Sequence, residues 1–497
     1  MTPLARPGAG TIPVSLRRRT VPADDPCGAF LALRAQLGVD EVFLLESLAG
    51  PTADRRAAVV GFGPLLEVEV REGRLELTGV PALVDRARSA LLDSGTVVAA
   101  DGDLQLRAPE ALWGAARALR DLFDVPGTSN DRWSFGFVAF FGYDTVRYVE
   151  RLPRLIAGAD LPADVTLRIY HGAAVFDLRH GTADVVIGSC ALWDELAIED
   201  VAGALEAVMP ADLAVPTVPP VHSVADSTDE RQFVADAQTC LDHIAVGDIY
   251  QVQIGHELTV HSPIDELSVY LRLRARNPSP YMCLLPLRGR TVVSASPELF
   301  VRIEGDEVVM RPIAGTARRS GDPVEDARRT DALQRDEKER AEHIMLVDLC
   351  RNDLGRIARA RTVVVDEMMV VEDFSHVFHL VSNVRARLQE GVDAYEVIRA
   401  TFPAGTMTGA PKIRAMEIIE ETETRRRGLY AGAFGLMDFG GYVNLGLAIR
   451  TLFRRDETWT TRASAGIVAD SVPSAEWRET LAKMSAAFWA VSGQELL

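Results

Sequence analysis

Two Glu-x-x-Glu pairs place the strongest constraint on how this chain can fold. Glu339 and Glu342 form the first pair, and Glu476 and Glu479 form the second, much later in the sequence. Residues three apart lie on one face of a helix, so each pair points two carboxylates in the same direction. A fold that brings the two helices together creates a site of four oxygen ligands, which suits a hard cation such as Mg²⁺. The alternative interpretation is that both pairs are solvated charges on helix surfaces.

Composition restricts the class of protein. The 497 residues are 47% hydrophobic, which is enough for one large core or several smaller ones. A net charge of -18 argues against nucleic acid or an anionic membrane surface as a partner. The five cysteines lack CxxC or Cys/His spacing, so neither a disulfide framework nor a zinc site is expected. No signal peptide or long apolar run is evident, and we predict a cytoplasmic protein without a membrane partner.

A Pro/Ser-rich stretch at 215–230 divides the sequence into two predicted regions, 1–210 and 230–497. Strand-like segments and short helices alternate in the N-terminal region. In the C-terminal region, residues 249–310 alternate as strands and residues 323–354 are largely helical. Residues 430–468 then predict an antiparallel set, in which 443–453 is one strand, followed by a closing helix.

Four motifs occur in order in the C-terminal region: PIAGT at 312–316, AEHIMLVDLCRNDLGR at 341–356, GTMTGAPKIRAMEII at 405–419 and AGIVADSVPSAEWRET at 465–480. With these motifs the chain resembles chorismate-utilising enzymes, especially anthranilate synthase component I, the large subunit, and 2-amino-2-deoxyisochorismate synthase. The resemblance implies an α+β fold of four layers, with antiparallel sheets flanked by helices. It also implies a component I-like N-terminal region and a chorismate-binding catalytic region at 230–497.

The resemblance implies a role for each of the four glutamates. Glu342 and Glu479 would be direct ligands of Mg²⁺, and Glu339 and Glu476 would be nearby or water-mediated partners. The metal would hold the ring carboxylate of chorismate. By this interpretation the paired carboxylates form part of a substrate site rather than a solvated surface.

Chorismate carries two carboxylates, and burying a carboxylate without hydrogen-bond donors is costly. The resemblance assigns the enolpyruvyl carboxylate to Arg450 and Tyr430. It assigns the ring carboxylate, beside the metal, to Thr406, to the backbone around Ser464 and Gly466, and to the close backbone approach that Gly315 allows.

The resemblance also implies the reaction. The departing C4 hydroxyl needs a proton donor, and Glu298 in ASPELF has the family position for that acid. Gln251 stands where water-activating relatives carry a lysine, and a neutral amide cannot act as that base. Ala314 stands where aminodeoxychorismate synthases usually carry a nucleophilic lysine. The remaining family chemistry is ammonia attack at C2 with loss of the C4 hydroxyl, which gives 2-amino-2-deoxyisochorismate.

His379 matches the family histidine associated with pyruvate elimination, although a buried structural histidine is the alternative. We therefore predict an anthranilate synthase component I-like lyase, as in tryptophan biosynthesis. Ser464 replaces a glycine that is usual in the family, which leaves open a second function. That function is a synthase of specialised metabolism, such as antibiotic biosynthesis, that stops at 2-amino-2-deoxyisochorismate. A non-catalytic tryptophan-binding subunit is the third and less favoured alternative.

Two further segments, FLLES at 43–47 and NPSPYM at 277–282, together resemble the tryptophan feedback pocket of anthranilate synthases. The residues implied for this pocket are Leu45, Glu46, Ser47, Pro280, Tyr281 and Met282. No glutamine amidotransferase segment is evident after the closing helix. Ammonia is therefore expected from a separate glutamine amidotransferase subunit, in a hetero-oligomer.

Overall fold

The computed structural model describes residues 10–51, 58–100, 102–158, 162–208, 213–375 and 377–497. The predicted limits of the N-terminal region, at residues 1 and 210, lie outside these ranges. The helices of the described chain are α1 (Pro26–Leu37), α2 (Pro81–Asp93), α3 (Ala111–Asp121), α4 (Ile198–Glu206), α5 (Glu230–Ala245), α6 (Glu266–Arg276), α7 (Pro323–Arg335), α8 (Glu337–Gly355), α9 (Ala394–Thr401), α10 (Lys412–Thr422) and α11 (Pro473–Ser492), with 3-10 turns at Tyr143–Tyr148 and Gly405–Met407.

The strands of the first half are β1 (Ile12–Pro13), β2 (Ser15–Pro22), β3 (Val42–Glu46), β4 (Ala58–Arg71), β5 (Arg74–Gly79), β6 (Val97–Ala100), β7 (Asp103–Leu106), β8 (Phe123–Asp124), β9 (Gly136–Phe141), β10 (Val165–Asp177), β11 (Thr182–Ser189) and β12 (Ser223–Asp226). Those of the second half are β13 (Gln251–His261), β14 (Tyr281–Leu287), β15 (Arg290–Ser296), β16 (Leu299–Glu304), β17 (Glu307–Met310), β18 (Ile313–Arg318), β19 (Val364–Val365), β20 (Val370–Asp373), β21 (Val377–Val381), β22 (Val384–Arg387), β23 (Gly409–Ala410), β24 (Ala433–Asp438), β25 (Val443–Leu447), β26 (Thr451–Arg455) and β27 (Thr458–Ile467).

Two antiparallel sheets share the long strands β4 and β10. One edge of β10 pairs with β4 throughout, while its other edge pairs first with β9 and then with β11. The register shifts between Ile169 and Tyr170, and Gly63 in β4 has φ +66°. Bulges of this kind bend strands. Sheet 1 therefore runs β6-β7-β5-β4-β10-β9-β24-β25-β16-β17-β22-β19, and sheet 2 runs β12-β13-β27-β26-β15-β14-β3-β4-β10-β11-β2.

Three apolar cores separate four layers. The core between the sheets contains side chains from both, such as Phe140 of sheet 1 and Cys283 of sheet 2. A second core packs α2, α3, α8 and α9 against sheet 1, with Leu354 fully buried. A third packs α1, α4, α6 and α11 against sheet 2 around Phe30. The predicted α+β architecture of four layers is thus confirmed.

Strands from the two predicted sequence regions pair with each other in both sheets. In sheet 1, β9 pairs with β24, and in sheet 2, β3 pairs with β14. The division at 1–210 and 230–497 stays a prediction about the sequence. A small third sheet, in the order β18-β21-β20, packs beside α7 and α8. None of the helices in the described part of the chain is long and apolar enough to span a membrane.

Two local predictions are wrong. Residues 249–310 are not all strands, because α6 interrupts them where the Asp265 carboxylate accepts the Ser268 N–H at 2.8 Å and caps a helix. Residues 443–453 are not one strand, because the chain leaves sheet 1 after β25 and enters sheet 2 at β26. Arg450 lies at this crossing with φ +49°, a left-handed conformation that ends strand pairing.

Candidate active site

Two neighbouring crossings between the sheets carry the predicted acid and the predicted carboxylate receptor. Glu298 lies between β15 of sheet 2 and β16 of sheet 1, and Arg450 lies between β25 and β26. The crossings are tied together, since the Leu447 N–H donates to the Glu298 carbonyl at 3.0 Å and the Ala295 N–H donates to the Arg450 carbonyl at 3.2 Å. The backbones of Glu298 and Arg450 therefore lie close together where the chain crosses between the two sheets.

The carboxyl group of Glu298 is buried and held by Thr406. Glu298 is 7% exposed, and the Thr406 hydroxyl donates to its Oε1 at 3.0 Å. Thr406 belongs to the 3-10 turn Gly405–Met407, which is far from Glu298 in sequence. The fold thus brings the predicted acid and a predicted substrate residue into direct contact.

The guanidinium of Arg450 is half-buried and makes no hydrogen bond or ion pair with any other described residue. Burial lowers the pKa of Arg450, and the nearby Glu298 carboxylate opposes this effect. A partly desolvated guanidinium with open donors is suited to binding a carboxylate in bidentate geometry. Its position near Glu298 brings the predicted anion receptor close to the predicted proton donor.

The imidazole of His379, on β21, is held in one tautomer. Its Nδ1 lies 2.8 Å from the Gly315 carbonyl oxygen and 3.1 Å from the Thr316 hydroxyl. A carbonyl only accepts, so Nδ1 carries the hydrogen and Nε2 presents a lone pair. Nε2 is buried and has no partner among the described residues. Burial lowers the pKa of His379 to about 4, and the positive charges of Arg450 and Lys483 add to this effect. The result is a neutral base at physiological pH.

Gly315 links this histidine to the first carboxylate pair. It has φ +74°, at a register shift between Ala314 and Thr316. A Cβ built on Gly315 would lie 3.0 Å from Oε2 of Glu339. Both the backbone conformation and the close approach of Glu339 therefore favour glycine here, and the close approach of this backbone to chorismate stays a prediction.

The two Glu-x-x-Glu pairs lie on α8 and α11 and influence each other electrostatically. Burial raises the pKa of Glu342 to about 7, and repulsion from Glu339, Glu476 and Glu479 contributes to this rise. Burial likewise raises the pKa of Glu339 and of Glu476. Folding thus gathers four carboxylates whose mutual repulsion disfavours the fully ionised state.

Two lysines accompany this acidic cluster. Lys483 Nζ lies 2.7 Å from Glu479, and Lys338 Nζ lies 3.9 Å from Glu342. Although burial opposes it, Lys483 lowers the pKa of Glu479. Within the described residues, no three acidic, histidine or cysteine side chains already converge as a ligand set. The donor chemistry fits Mg²⁺, which prefers carboxylate oxygens and retains waters, and the ligand roles stay predictions.

Tyr430, Ser464 and Lys483 form the next wall of the site. The Tyr430 hydroxyl donates to the Ser464 hydroxyl at 3.1 Å, and Lys483 Nζ donates to the Ser464 carbonyl at 2.9 Å. The sequence analysis missed Lys483 because no motif residue pointed to it. Its rarity was a usable signal, since the chain has only three lysines.

Gln251 and Gly466 meet across β13 and β27. Gln251 is 3% exposed, and its Oε1 has no hydrogen-bond partner among the described residues. A Cβ on Gly466 would lie 2.8 Å from Gln251 Nε2, so glycine allows the amide to lie against β27. A buried acceptor without a partner is costly, and a ligand with an N–H donor would satisfy it.

The two predicted feedback segments lie side by side in sheet 2. Met282 pairs with Glu46 and Cys283 pairs with Leu45, while the Ser47 hydroxyl donates to the Pro280 carbonyl at 2.7 Å. Folding therefore joins FLLES to NPSPYM. Tryptophan binding itself stays a prediction.

Two residues that the sequence analysis missed already bind the carboxylate of Glu46. The Arg274 Nε donates to Glu46 at 2.8 Å, and the Tyr270 hydroxyl donates to it as well. Tyr281 instead points into the core between the sheets. The charge of Glu46 is therefore already balanced by Arg274, and a binding ammonium group would have to displace that contact.

Comparisons with known proteins agree with this geometry. A family model described as chorismate binding enzyme matches residues 83–488. The 2-amino-4-deoxychorismate synthase of Streptomyces globisporus is 52% identical over 488 residues, covering 97% of this chain and 98% of that protein. Anthranilate synthase component 1 of Acinetobacter calcoaceticus is 34% identical, covering 97% and 96%. The crystal structure of anthranilate synthase component I from Streptococcus pneumoniae TIGR4 aligns with TM-score 0.69 at 30% identity, covering 87% of this chain and 92% of that one.

Proposed function

Because this chain belongs to the family of chorismate binding enzymes, we propose that it aminates chorismate at C2 with loss of the C4 hydroxyl. The predicted family resemblance is thereby confirmed. Nitrogen bonds to C2, the two ring double bonds shift, and the C4–O bond breaks. The product, 2-amino-2-deoxyisochorismate, has the amine at C2 and lacks oxygen at C4. The name 2-amino-4-deoxychorismate describes those same atoms, so the Streptomyces globisporus relative supports the proposal.

Gln251 is the observation that carries the choice of ammonia. Water must lose a proton to a base as it attacks, whereas ammonia attacks through its own lone pair. The open Oε1 of Gln251 is an acceptor for an N–H donor and is too weak a base to activate water. A neutral amide at this position therefore supports amination over hydration.

The remaining roles follow from charge and position. Glu298 gives its proton to the C4 oxygen as that bond breaks, and Thr406 keeps the carboxyl group oriented. Arg450 binds the enolpyruvyl carboxylate, with Tyr430 beside it. These assignments place the acid and the anion receptor at the two crossings between the sheets.

Mg²⁺ is part of this proposal. Glu339, Glu342, Glu476 and Glu479 would hold the ion, and its charge would bind the ring carboxylate when present. The raised pKa values of Glu339, Glu342 and Glu476 support this role, because a cation would relieve the repulsion that contributes to them.

His379 favours a second step, the elimination of pyruvate to give anthranilate. Its Nε2 would accept the C2 proton, the C3–O bond would break, and the enolpyruvyl group would leave as the enolate of pyruvate, which becomes pyruvate by taking up a proton at its methylene carbon. The buried lone pair supports this step, and the lowered pKa keeps that lone pair unprotonated near neutral pH. The name of the Streptomyces globisporus relative instead supports release of the aminated compound.

Product analysis separates these outcomes. The protein is incubated with chorismate, Mg²⁺ and ammonium, and fluorescence, pyruvate and product mass are followed together. Anthranilate fluorescence with an equal amount of pyruvate indicates the complete reaction. A non-fluorescent aminated product without pyruvate indicates release before elimination. Absence of amination rejects the proposed function.

A separate glutamine amidotransferase subunit is proposed as the source of ammonia, as the anthranilate synthase component 1 relatives suggest. We expect ammonium salts to support turnover alone, and glutamine to support it only after that subunit is added. A cytoplasmic location belongs to the same proposal. Its support is that all five cysteines are free thiols, as a reducing compartment would leave them.

A further inference from the structure

A buried arginine outside the predicted site binds several segments of the chain that carry residues of that site. Arg427 follows α10 and is 4% exposed. Its Nη1 donates to the Met407 carbonyl at 2.6 Å, and its Nη2 donates to the Gln253 carbonyl at 2.7 Å. It also binds both carboxylate oxygens of Glu423, at 3.0 and 2.9 Å. One guanidinium therefore joins the loop after α9, strand β13 and the end of α10.

Glu423 extends this arrangement into a buried ionic triad. Its carboxylate also accepts the Gly255 N–H at 3.0 Å and Nη2 of Arg462 at 2.6 Å. The side chains of Glu423, Arg427 and Arg462 are only 1–2% exposed. Removing three charges from water is expensive, and apolar packing would often be at least as stable. General stability is therefore a weak reason for this triad, and fixed geometry is a better one.

The triad contacts lie next to residues of the proposed chorismate site. Met407 adjoins Thr406, which binds Glu298. Gln253 lies two residues after Gln251, on the same face of β13. A shift of either carbonyl would move these side chains directly.

Arg462, the second arginine of the triad, lies near Ser464 and Tyr430 of the predicted site. Arg462 lies on β27, two residues before Ser464. The guanidinium carbons of Arg427 and Arg462 each lie 5.9 Å from the ring centre of Tyr430. Tyr430, whose hydroxyl donates to Ser464, therefore lies within reach of two cations.

We propose that Arg427 is a positioning residue for the chorismate site. It fixes the Gly405–Met407 turn, the start of β13 and the Tyr430 ring in one relative arrangement, so that the side chains that contact chorismate face it together. This inference rests on the proposed function, because it concerns the same substrate site. Arg427 itself makes its hydrogen bonds to protein groups and acts through them.

The chain offers a matched control in Arg168. This arginine is 7% exposed and donates to Glu67 at 2.6 Å, to the Pro286 carbonyl at 2.7 Å and to the Tyr170 hydroxyl at 3.1 Å. It thus resembles Arg427 in burial and in its carboxylate, carbonyl and tyrosine contacts. None of its partners lies within two residues of a predicted site residue. Replacing it reports the cost of breaking such a network away from the site.

The test compares Arg427→Lys with Arg168→Lys, because lysine keeps the charge but loses the fork of donors. Melting temperature, the dissociation constant of chorismate with Mg²⁺ but without ammonium, and steady-state kinetics are measured. Both variants should have a lower melting temperature than the wild type. Only Arg427→Lys should weaken chorismate binding by about tenfold, with a larger loss of kcat/KM because orientation is lost as well.

Chorismate affinity and kcat/KM of Arg427→Lys within about twofold of wild type would overturn the inference. If Arg427→Lys does not fold, Arg462→Lys decides instead. This change breaks the contact to Glu423 and disturbs the contacts of Arg462 to the carbonyls of Arg425, Arg426 and Gly255. It should also weaken chorismate binding, and unchanged binding overturns the inference. The affinity measurement keeps this test separate from the proposed function. A wild-type protein that binds chorismate without aminating it contradicts only the reaction.

Discussion

At the scale of single residues, the proposed reaction assigns to Glu298 the proton that the leaving hydroxyl needs. We predict that Glu298→Gln lowers kcat by about 10²- to 10⁴-fold, the usual contribution of a general acid, while chorismate still binds. An amide keeps the shape and a hydrogen bond to Thr406 but cannot transfer that proton. Turnover is measured with ammonium, and binding by calorimetry. Glu304→Gln, at the far end of the strand that follows Glu298, is the control, and retained turnover in Glu298→Gln would remove the assignment.

His379 governs the second step in this account. We predict that His379→Gln lowers the ratio of anthranilate to aminated product by at least about tenfold, because the base for the C2 proton is lost. Since the pKa of His379 is about 4, this ratio in the wild type should stay level between about pH 6 and pH 8. Mass analysis measures both the product ratio of the variant and the pH dependence of that ratio in the wild type. An inflection near pH 6.5 would contradict a buried, neutral histidine.

Motif positions predicted the residues that are proposed to face chorismate, but not the residues that hold those side chains in place. The fold brings Glu298 and Thr406, both chosen by motif, into direct contact, and the positive φ of Gly315 favours glycine at that position. Lys483 and Arg427 were missed, because their partners are backbone carbonyls and carboxylates that become neighbours only after folding. Spacing in a single sequence carries no signal for such contacts.

At the scale of elements, α8 and α11 bring the four carboxylates together. We predict that Glu342→Gln weakens Mg²⁺ binding by at least about tenfold, because one charged oxygen ligand is lost. Calorimetry without chorismate measures the affinity. Glu337→Gln, in the exposed first turn of α8, is the matched control. Equal affinities in the two variants would show that the ion, if bound, lies elsewhere.

The two predicted feedback segments, which meet where β3 pairs with β14, give a prediction of their own. Saturating tryptophan should raise the melting temperature and lower turnover, and Ser47→Ala should weaken both effects by loosening the Pro280 contact. The pairing of Glu46 with Arg274 opposes binding of an ammonium group, so affinity should rise in Arg274→Met. A protein whose activity and melting temperature both ignore tryptophan has no feedback site here.

The sequence predicted the type of an element, helix or strand, better than the residues at which an element ends. The hairpin around Gly440 and Gly441 and the closing helix follow from turn residues and apolar spacing. The end of β25 did not, because Arg450 adopts a left-handed conformation that only the crossing between sheets explains. Helix α6 was missed because Val269, Tyr270 and Leu271 resemble a strand, and the cap at Asp265 outweighs that local preference.

At the scale of the whole molecule, buried neutral histidines make stability depend on pH. Burial lowers the pKa of His343 to about 4, and its Nε2 lies 2.6 Å from the Ser382 hydroxyl. The unfolded chain binds this proton near pH 6.5, so stability is full above that value and falls as pH drops toward 4. The expected loss from His343 at pH 5 is about 2 kcal/mol.

Urea unfolding at about pH 7.5 and pH 5 measures this effect. Glu342 acts in the opposite direction, since its raised pKa adds stability as pH falls through about 7. The informative comparison is therefore between wild type and His343→Gln. The free energy of unfolding of His343→Gln should depend less on pH than that of the wild type. Identical pH dependence in both proteins would mean that His343 does not titrate as its burial implies.

The sharing of β4 and β10 by two sheets could not be read from the sequence. Strand segments were recognisable, but pairing of β3 with β14 and of β9 with β24 joins residues hundreds of positions apart. Such pairing depends on bulges and crossings, which short-range patterns do not encode. The site forms at those crossings, so its geometry had to come from the fold.

Transfer of nitrogen to C2 of chorismate tests the central claim most directly. The protein is supplied with chorismate, Mg²⁺ and ¹⁵N-ammonium, and the product is analysed by mass spectrometry and by NMR. This account predicts a product with ¹⁵N bonded to C2 and no oxygen at C4, or anthranilate carrying the same label. A product with a hydroxyl at C2, or chorismate recovered unchanged, would contradict it.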